Sequence, residues 1–483
     1  MSGTFRSLSV RNYRLWFIGA LISNVGGWMQ GTAQNWVVLT ELTDNNATAV
    51  GVTMALQFGP QLILVPWSGA VADRFDRRKL LILTQVLLML LAAGLGLMLV
   101  LGIAELWHLY AFALGLGFVN AFDMTARQAY VSDLVEADNL SNAVALNAAL
   151  FNSARLVGPA AAGVLIAFIG SGWVFIINAL TFVAMIWALL LITTKHVRPP
   201  IPDVPEPKWK ELAAGLFYVV KRRDMVVVFI MVFFIGSFSM NIGVMSAAMA
   251  VHFDRGAGAY GLITSIMAIG SLSGALFAAN RMEAKLGLVV VSAGGLGVVA
   301  ILAAFMPGFW AFTWSHVLFG LTSAIVFATA NAYVQVTSPA AVRGRVLALY
   351  TAIVMGGTPI GAPLIGWAAD SLGAPASYVF SGVAALVAFV VGMWWILYQR
   401  RTGAGLPERV ELEAREMPSA AGDPHPAEEE ILLLESNSAP QEGAPTTGVI
   451  HLPPRALAEE SETDSGTYSE EDSEEGFEGQ PAR

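Results

Sequence analysis

Twelve stretches of the chain, each about 20 or more mostly apolar residues long, leave it almost no way to fold in water. They run near residues 13–40, 47–72, 80–102, 108–132, 140–168, 172–194, 225–251, 259–280, 286–306, 309–336, 345–369 and 374–398. As a helix, a stretch of that length matches the hydrocarbon thickness of a bilayer, and a helix satisfies its own backbone donors and acceptors there. Only 13% of the residues are charged, about half the share usual in soluble domains. The expected fold class is an all-α membrane protein with twelve transmembrane helices.

Lys and Arg are distributed over alternate connections. One side of the membrane receives 20 of them, from Arg6 and Arg11 through Arg74–Lys79 and Lys195–Arg223 to Arg400 and Arg401; the other side receives Arg255 alone. By the positive-inside rule both termini are expected in the cytoplasm of a multi-pass plasma-membrane protein. The first apolar stretch is too long and too polar inside to read as a cleaved signal peptide.

The chain is expected to divide into a six-helix bundle over 1–194, a cytoplasmic linker over 195–224, a second six-helix bundle over 225–401 and a tail over 402–483. The linker opens with Pro199, Pro200, Pro202, Pro205 and Pro207. An amphipathic helix follows over 208–223, with Trp209, Leu212, Leu216 and Val219 on one face. The tail holds 20 Asp/Glu against 4 Lys/Arg, whereas residues 1–401 hold 16 against 23. The net charge of −9 therefore describes an acidic tail, expected to be disordered, and not the membrane body.

Several function classes are excluded by what the sequence lacks. There is no cysteine, so no disulfide or thiolate metal site, and the six histidines are scattered. No basic run is long enough to track a nucleic acid. No phosphate-binding loop or nucleophile constellation appears, which argues against an enzyme and against ATP as the energy source. A small-molecule substrate, protons and the lipid bilayer are the expected partners, with no nucleic acid and no cofactor.

An internal repeat sets the architecture. Asn142–Leu150 aligns with Arg345–Ile353, Ala129-Tyr130-Val131 with Ala332-Tyr333-Val334, Gly158 with Gly361 and Gly163 with Gly366, all at one offset of 203 residues. That offset spans about six helices and their loops. Two parallel six-helix halves are the plan on which secondary transporters build alternating access.

The connection after the second span reads Gly69-Ala-Val-Ala-Asp73-Arg74-Phe-Asp76-Arg77-Arg78. Gly69 permits close helix approach, and Asp73 at a helix end can face a helix N-terminus or pair with an arginine. The pattern resembles motif A of the major facilitator superfamily, departing from it at Asp76, where many members carry glycine. The resemblance covers residues 1–400 and implies the major facilitator fold, with Gly69, Asp73, Arg74, Arg77 and Arg78 as a cytoplasmic latch between the halves. The second half keeps only Gly274 and Asn280-Arg281, so one such latch is expected. The fifth span contains Gly158-Pro159 and Gly163, and the eleventh contains Pro359 and Gly361. These are similar to the Gly-Pro motif of exporting members, and the resemblance implies a hinge. The run Asp73–Arg78 and the segment Ala126–Ala143 resemble the branch containing enterobactin exporters and macrolide or multidrug efflux proteins. That likeness implies proton-driven export of a siderophore or a hydrophobic drug-like compound.

Ionisable residues inside spans are costly, and hence functional candidates. Asp123 and Arg127 stand at i, i+4 in span four and share a face. Counting about 1.5 Å per residue, Asp123 lies roughly 15 Å and Arg155 roughly 22 Å from the cytoplasmic ends of their helices. The three are expected to form a proton-coupling cluster, with either arginine an alternative ligand for an anionic substrate; a fixed structural ion network is the other reading. The polar face of span one, with Asn24, Trp28, Gln34 and Asn35, together with Phe238, Asn241 and Met245 of span seven, is expected to line a substrate cavity. His316 in span ten is a further candidate. The residues also leave open an importer of a polar metabolite, or a membrane partner that does not transport.

Overall fold

The computed structural model describes residues 3–193, 209–281 and 285–402. The proline-rich part of the linker and the acidic tail lie outside the described residues. Beyond a short 3-10 turn at Gly3–Ser9, the elements are α1 (Arg11–Thr40), α2 (Ala47–Arg74), α3 (Arg77–Val100), α4 (Leu106–Leu134), α5 (Ala137–Ile169), α6 (Ser171–Leu191) and α7 (Trp209–Lys221). There follow α8 (Arg223–Phe238), α9 (Ile242–His252), α10 (Ala257–Ala279), α11 (Leu286–Ala304), α12 (Phe309–Thr337), α13 (Ala340–Leu372) and α14 (Ala374–Thr402).

Eleven stretches among the described residues are long and apolar enough to cross a membrane. The expected first span, α1, falls short of that hydropathy because of its amides. It is nonetheless 30 residues long, about 45 Å, and packs along α5 and α6, which makes it the twelfth. Its buried Gln30 accepts from Asn178 of α6 at 2.5 Å, so its polar groups are spent on neighbours and not on lipid. The lipid-facing sides are apolar in the expected manner. Leu83, Leu87, Leu90 and Leu97, for example, are all exposed on α3.

The repeat reappears in the helix boundaries. α4 and α12, and likewise α5 and α13, begin and end 203 residues apart. Gly170 and Gly373, at φ +86° and +92°, end α5 and α13 in a conformation that favours glycine. Asp76, the departure from motif A, is the N-cap of α3; its carboxylate accepts from the backbone of Arg78 and Lys79. Span seven was expected as one helix but is two. The Asn241 side-chain amide donates to the carbonyl of Ser237, the acceptor its own backbone N–H would use in an unbroken helix. The chain turns there and restarts as α9.

α1 to α6 pack on one another, as do α8 to α14, and the two bundles meet chiefly through α2 against α13 and α5 against α10. The end where Arg74–Lys79 and Arg343 lie is called the basic end, and its opposite the far end. The repeat glycines divide the packing between them. Gly158 sits on Trp28 of α1 and Gly361 on Ser237 of α8, each inside its own bundle. Gly163 meets Ala257 of α10 and Gly366 meets Ala47 of α2, each across the bundle interface. The glycines that lie on backbone of the other bundle, Gly51, Gly163, Gly261 and Gly366, are in the far half; midway along, Gly356 meets the Leu62 side chain of α2, and Gly69, toward the basic end, has open space around it. The bundles are thus closed at the far end and parted at the basic end.

The C-terminal half of α7 docks at the basic end. Tyr218 and Val219 are buried, while Leu216 of the expected apolar face is exposed. Arg222 donates to the carbonyl of Thr337 at 2.8 Å and grips buried Asp224, fastening the linker to the second bundle.

The glycine pairs generate a prediction. A Cβ at Gly366 falls on the Ala47 carbonyl, so Gly366→Ala should force the far end apart while leaving each bundle intact. Gly158→Ala should instead overpack its own bundle, at a cost of about 1–3 kcal/mol. Thermal unfolding in detergent should therefore separate them, with Gly158→Ala lowering the midpoint by the larger amount.

Candidate central transport site

Asp123 stands near the middle of α4, only 3% exposed, about 16 Å from the basic end of its helix. Two helices supply its partners, α3 and α4 itself. Thr84 and Gln85, successive residues on α3, each donate to Oδ1 at 2.7 Å. Arg127, one turn along α4, donates to Oδ2 at 2.5 Å. The guanidinium also reaches Ser23 of α1 at 3.3 Å, and Ser23 donates to Gln85 at 3.4 Å. A carboxylate out of water keeps its charge only when paired and hydrogen-bonded, and this one has both. Thr84 and Gln85 were not singled out from the sequence; an adjacent Thr-Gln pair within an otherwise aliphatic span was the available signal.

Arg155 was expected beside Asp123. It is not. α5 starts at Ala137, so Arg155 lies about 27 Å from the basic end, roughly two turns beyond Asp123. Its guanidinium lies 5.7 Å from the centre of the Trp28 ring, which in turn meets Phe151 edge-on at 5.6 Å. Among the described residues no carboxylate pairs with Arg155. Asn24 and Trp28 are half-buried on the face of α1 that also carries Gly27 and Gly31, both with open space around them. This face borders the gap between the bundles.

The other candidates lie deeper. Gln34 is buried and donates to Gln57 of α2 at 2.8 Å, and its own carbonyl oxygen has no partner. Asn35 donates to Tyr260 of α10 at 3.1 Å, and Trp36 stacks on the same ring at 6.2 Å. These residues belong to the closed far half. Phe238 is half-buried at the end of α8, and Asn241 and Met245 are buried. His316 is fully buried inside the second bundle, with Nε2 2.8 Å from the Tyr378 hydroxyl and Nδ1 2.9 Å from the Phe312 carbonyl; Phe319 stacks on its ring.

The latch residues gather in the first bundle. Arg77 bridges Asp73 at 2.9 Å and Asp133 of α4 at 3.0 Å. Arg78 donates to the carbonyls of Leu189 and Leu190, closing the end of α6. Arg74 is exposed, and the Asp73 side chain is 49% exposed. In this basic-end-open conformation Asp73 faces no described residue of the second bundle. Asp133 was not picked out from the sequence, although it stands in the segment Ala126–Ala143.

Known proteins agree with this architecture. A sequence profile described as transmembrane secretion effector, within the major facilitator superfamily, matches residues 2–408. The enterobactin exporter EntS of Escherichia coli O1:K1 is 26% identical over 393 residues, covering 80% of this chain and 92% of that protein. EntS of Salmonella typhimurium LT2 is 26% identical over 359 residues, 73% of this chain and 84% of its own. Among solved structures, the nucleoside transporter NupG superposes with a TM-score of 0.63 at 14% identity, covering 80% of this chain and 99% of its own. A bacterial homologue of the iron transporter ferroportin, captured inward-facing, gives 0.60 at 17% identity, with 80% and 98% covered.

The Asp123 cluster makes a prediction about stability. Arg127→Met strands a buried carboxylate and should cost about 3–5 kcal/mol. Asp123→Asn combined with Arg127→Met removes both charges and should be markedly more stable than Arg127→Met alone. A double-mutant cycle by thermal unfolding, completed with Asp123→Asn alone, checks this; single losses that simply add in the double mutant would show that the pair is not energetically coupled.

Proposed function

Because the chain belongs to the transmembrane secretion effector family of the major facilitator superfamily, we propose that it is a secondary active exporter that exchanges protons for a siderophore or a hydrophobic drug-like compound. The chain is a multi-pass membrane transporter by family and fold. Export, coupling ion and cargo are the further step. The named relatives are enterobactin exporters, which supports a siderophore-like cargo and outward transport. With the basic end in the cytoplasm of a plasma-membrane protein, the gap seen here opens to the cell interior, the side from which an exporter loads.

The observation that carries the coupling is the Asp123 cluster: one membrane-embedded carboxylate, held by exchangeable donors from two spans and joined through Arg127 to a third. Protonation of Asp123 cancels its attraction for Arg127 and turns one acceptor oxygen into a donor. Arg127 is then released toward Ser23 and α1, the helix that also carries the cavity face. A proton event on α3 and α4 is thereby passed to the wall of the binding space. Asp73, Arg77 and Asp133 provide a second charged cluster at the basic end. Its exposed Asp73 is available to meet the second bundle when that end closes.

The cavity face suits such a cargo. Trp28 and Phe151 offer two aromatic rings, Asn24 an amide, and Arg155 a positive charge without a carboxylate partner among the described residues. The unsatisfied carbonyl oxygens of Gln34 and Asn241 are acceptors for a cargo's donors at the deep end. The backbone contacts of Gly158 and Gly361 with the first helix of each bundle suit a stiff hinge, so that each bundle moves as one piece.

Everted membrane vesicles with an acid interior test the proposal, using a catecholate siderophore, a macrolide and an aromatic dye as probes. Proton-driven accumulation of at least one probe is expected, and Asp123→Asn should reduce it by about 10²-fold or more, the scale on which proton-transfer groups act. Gradient-independent exchange of the same probe should persist in that variant. Undiminished pumping by Asp123→Asn removes the coupling assignment. Accumulation confined to right-side-out vesicles would establish import. Arg155→Ala should weaken transport of anionic probes more than neutral ones.

A further inference from the structure

At the far end a charged residue of one bundle sits on the helix start of the other. Asp370 lies in the last turn of α13. Its Oδ1 accepts the backbone N–H of Ala47 at 2.7 Å; its Oδ2 accepts the backbone N–H of Thr48 at 2.8 Å and the Thr48 hydroxyl at 2.5 Å. Ala47 and Thr48 are the first two residues of α2, whose leading N–H groups have no partner within their own helix. The helix's own N-cap, Asn46, takes a different donor, the N–H of Ala49. The open donors of this first turn are thus divided between a residue of the same bundle and a carboxylate from the opposite one. The negative charge also meets the positive end of the helix dipole.

This contact differs from its surroundings in kind. The remaining closure of the far half is short-range packing of small residues and neutral hydrogen bonds, as where Gly366 seats on Ala47, Gly163 on Ala257, and Asn35 on Tyr260. The repeat makes the asymmetry explicit. The residue 203 positions before Asp370 is Ala167, which has no side chain with which to hold the start of α10. Meanwhile α2 carries an acidic contact near each end. At its basic end Asp73 is turned onto Arg77 of its own bundle, half-exposed; at its far end Asp370 is engaged across the interface. One end is clasped while the other is free.

We propose that Asp370 is a far-end latch. Its carboxylate, clamped on the first turn of α2, holds the conformation that is open at the basic end, and must let go each time the far end opens. Its strength therefore sets the ratio between the two conformations. Asp370 is exposed, so water can replace the lost hydrogen bonds, and the clasp is weak enough to open within a transport cycle. The inference rests on the reading of the chain as an alternating-access transporter. Its test measures conformation and not transport, so each can fail without the other.

The chain has no cysteine, so spin labels can be placed directly. One double-labelled protein carries Ile103→Cys and Phe305→Cys at the far end, another Ser132→Cys and Gln335→Cys at the basic end; all four positions are exposed. Pairwise distances are measured in detergent or nanodiscs by pulsed electron resonance. Asp370→Asn should lengthen the far-end distances and shorten the basic-end ones, raising the far-end-open to basic-end-open ratio by about three- to tenfold, as expected for loss of a charged cap. Asp44→Asn, an exposed carboxylate in the loop before α2, should leave both distributions as in the parent. Unchanged distributions in folded Asp370→Asn overturn the latch, as does an equal shift in Asp44→Asn. Should Asp370→Asn not purify as a folded protein, Asp370→Glu, which keeps the charge but displaces it by one methylene, takes its place. A smaller shift in the same direction supports the proposal, and no shift overturns it.

Discussion

Backbone pressed against backbone is what this molecule depends on. Apart from Trp36 stacked on Tyr260 and Leu62 seated on Gly356, the tightest contacts between the bundles involve no bulky side chain. At Gly51, Gly163, Gly261 and Gly366 a helix lies directly on a carbonyl of the other bundle, with no room for a methyl group. In lipid, helices gain little from hiding apolar surface from one another, because the surrounding chains are as apolar as leucine; association rests on close packing and hydrogen bonds instead. Such an interface can separate at modest cost, since each helix retains its internal hydrogen bonds when the neighbour leaves. The interior of each bundle is different. Around Tyr13, Trp16, Tyr130 and Leu150, large buried side chains tie α1, α4 and α5 together, and parting them would leave voids. Strong cohesion within bundles is thus paired with shallow contact between them.

Charge is placed on this frame unevenly. Asp123 with Arg127, and Arg77 with Asp73 and Asp133, all belong to the first bundle. Among the described residues, the second bundle holds a buried pair, Arg222 with Asp224, which anchors the linker helix: Tyr333 of α12 donates to the same carboxylate. His316, buried in the same bundle, is enclosed by Phe312, Phe319 and Tyr378. The symmetric scaffold thus carries an asymmetric set of charged groups.

Much of the architecture could be read from the residues, and the reasons are physical. Span lengths are fixed by bilayer thickness, so the apolar stretches fell within a few residues of the helices. The repeat offset, found from short matches such as Ala129-Tyr130-Val131, recurs in the boundaries of α4, α5, α12 and α13. Contacts that depend on depth and rotation were less accessible. Placing Arg155 relative to Asp123 required the start of α5 to better than one turn, and starting it at residue 140 rather than 137 brought the two about 4.5 Å too close in depth. The break at Asn241 was hidden because an amide competing for the Ser237 carbonyl leaves the hydropathy pattern undisturbed. Asp370 was overlooked because a single carboxylate at a helix end looks like ordinary surface charge until its partner, 322 residues away in sequence, is brought beside it.

The elbows at Gly170 and Gly373 carry a last implication. In each half a helix of 33 residues turns through a single glycine directly into the next, with no slack between them. Length alone then gives leverage. Across the interface α5 is gripped from the Leu156 carbonyl, which accepts from Ser265, to its far end, and α13 from Gly356, which meets Leu62, to its far end. A parting of an ångström at the grip is magnified at the free tips, as with the blades of shears. In the alternating-access cycle proposed above, small chemical events near the fulcrum would then admit or exclude a bulky molecule at the mouth.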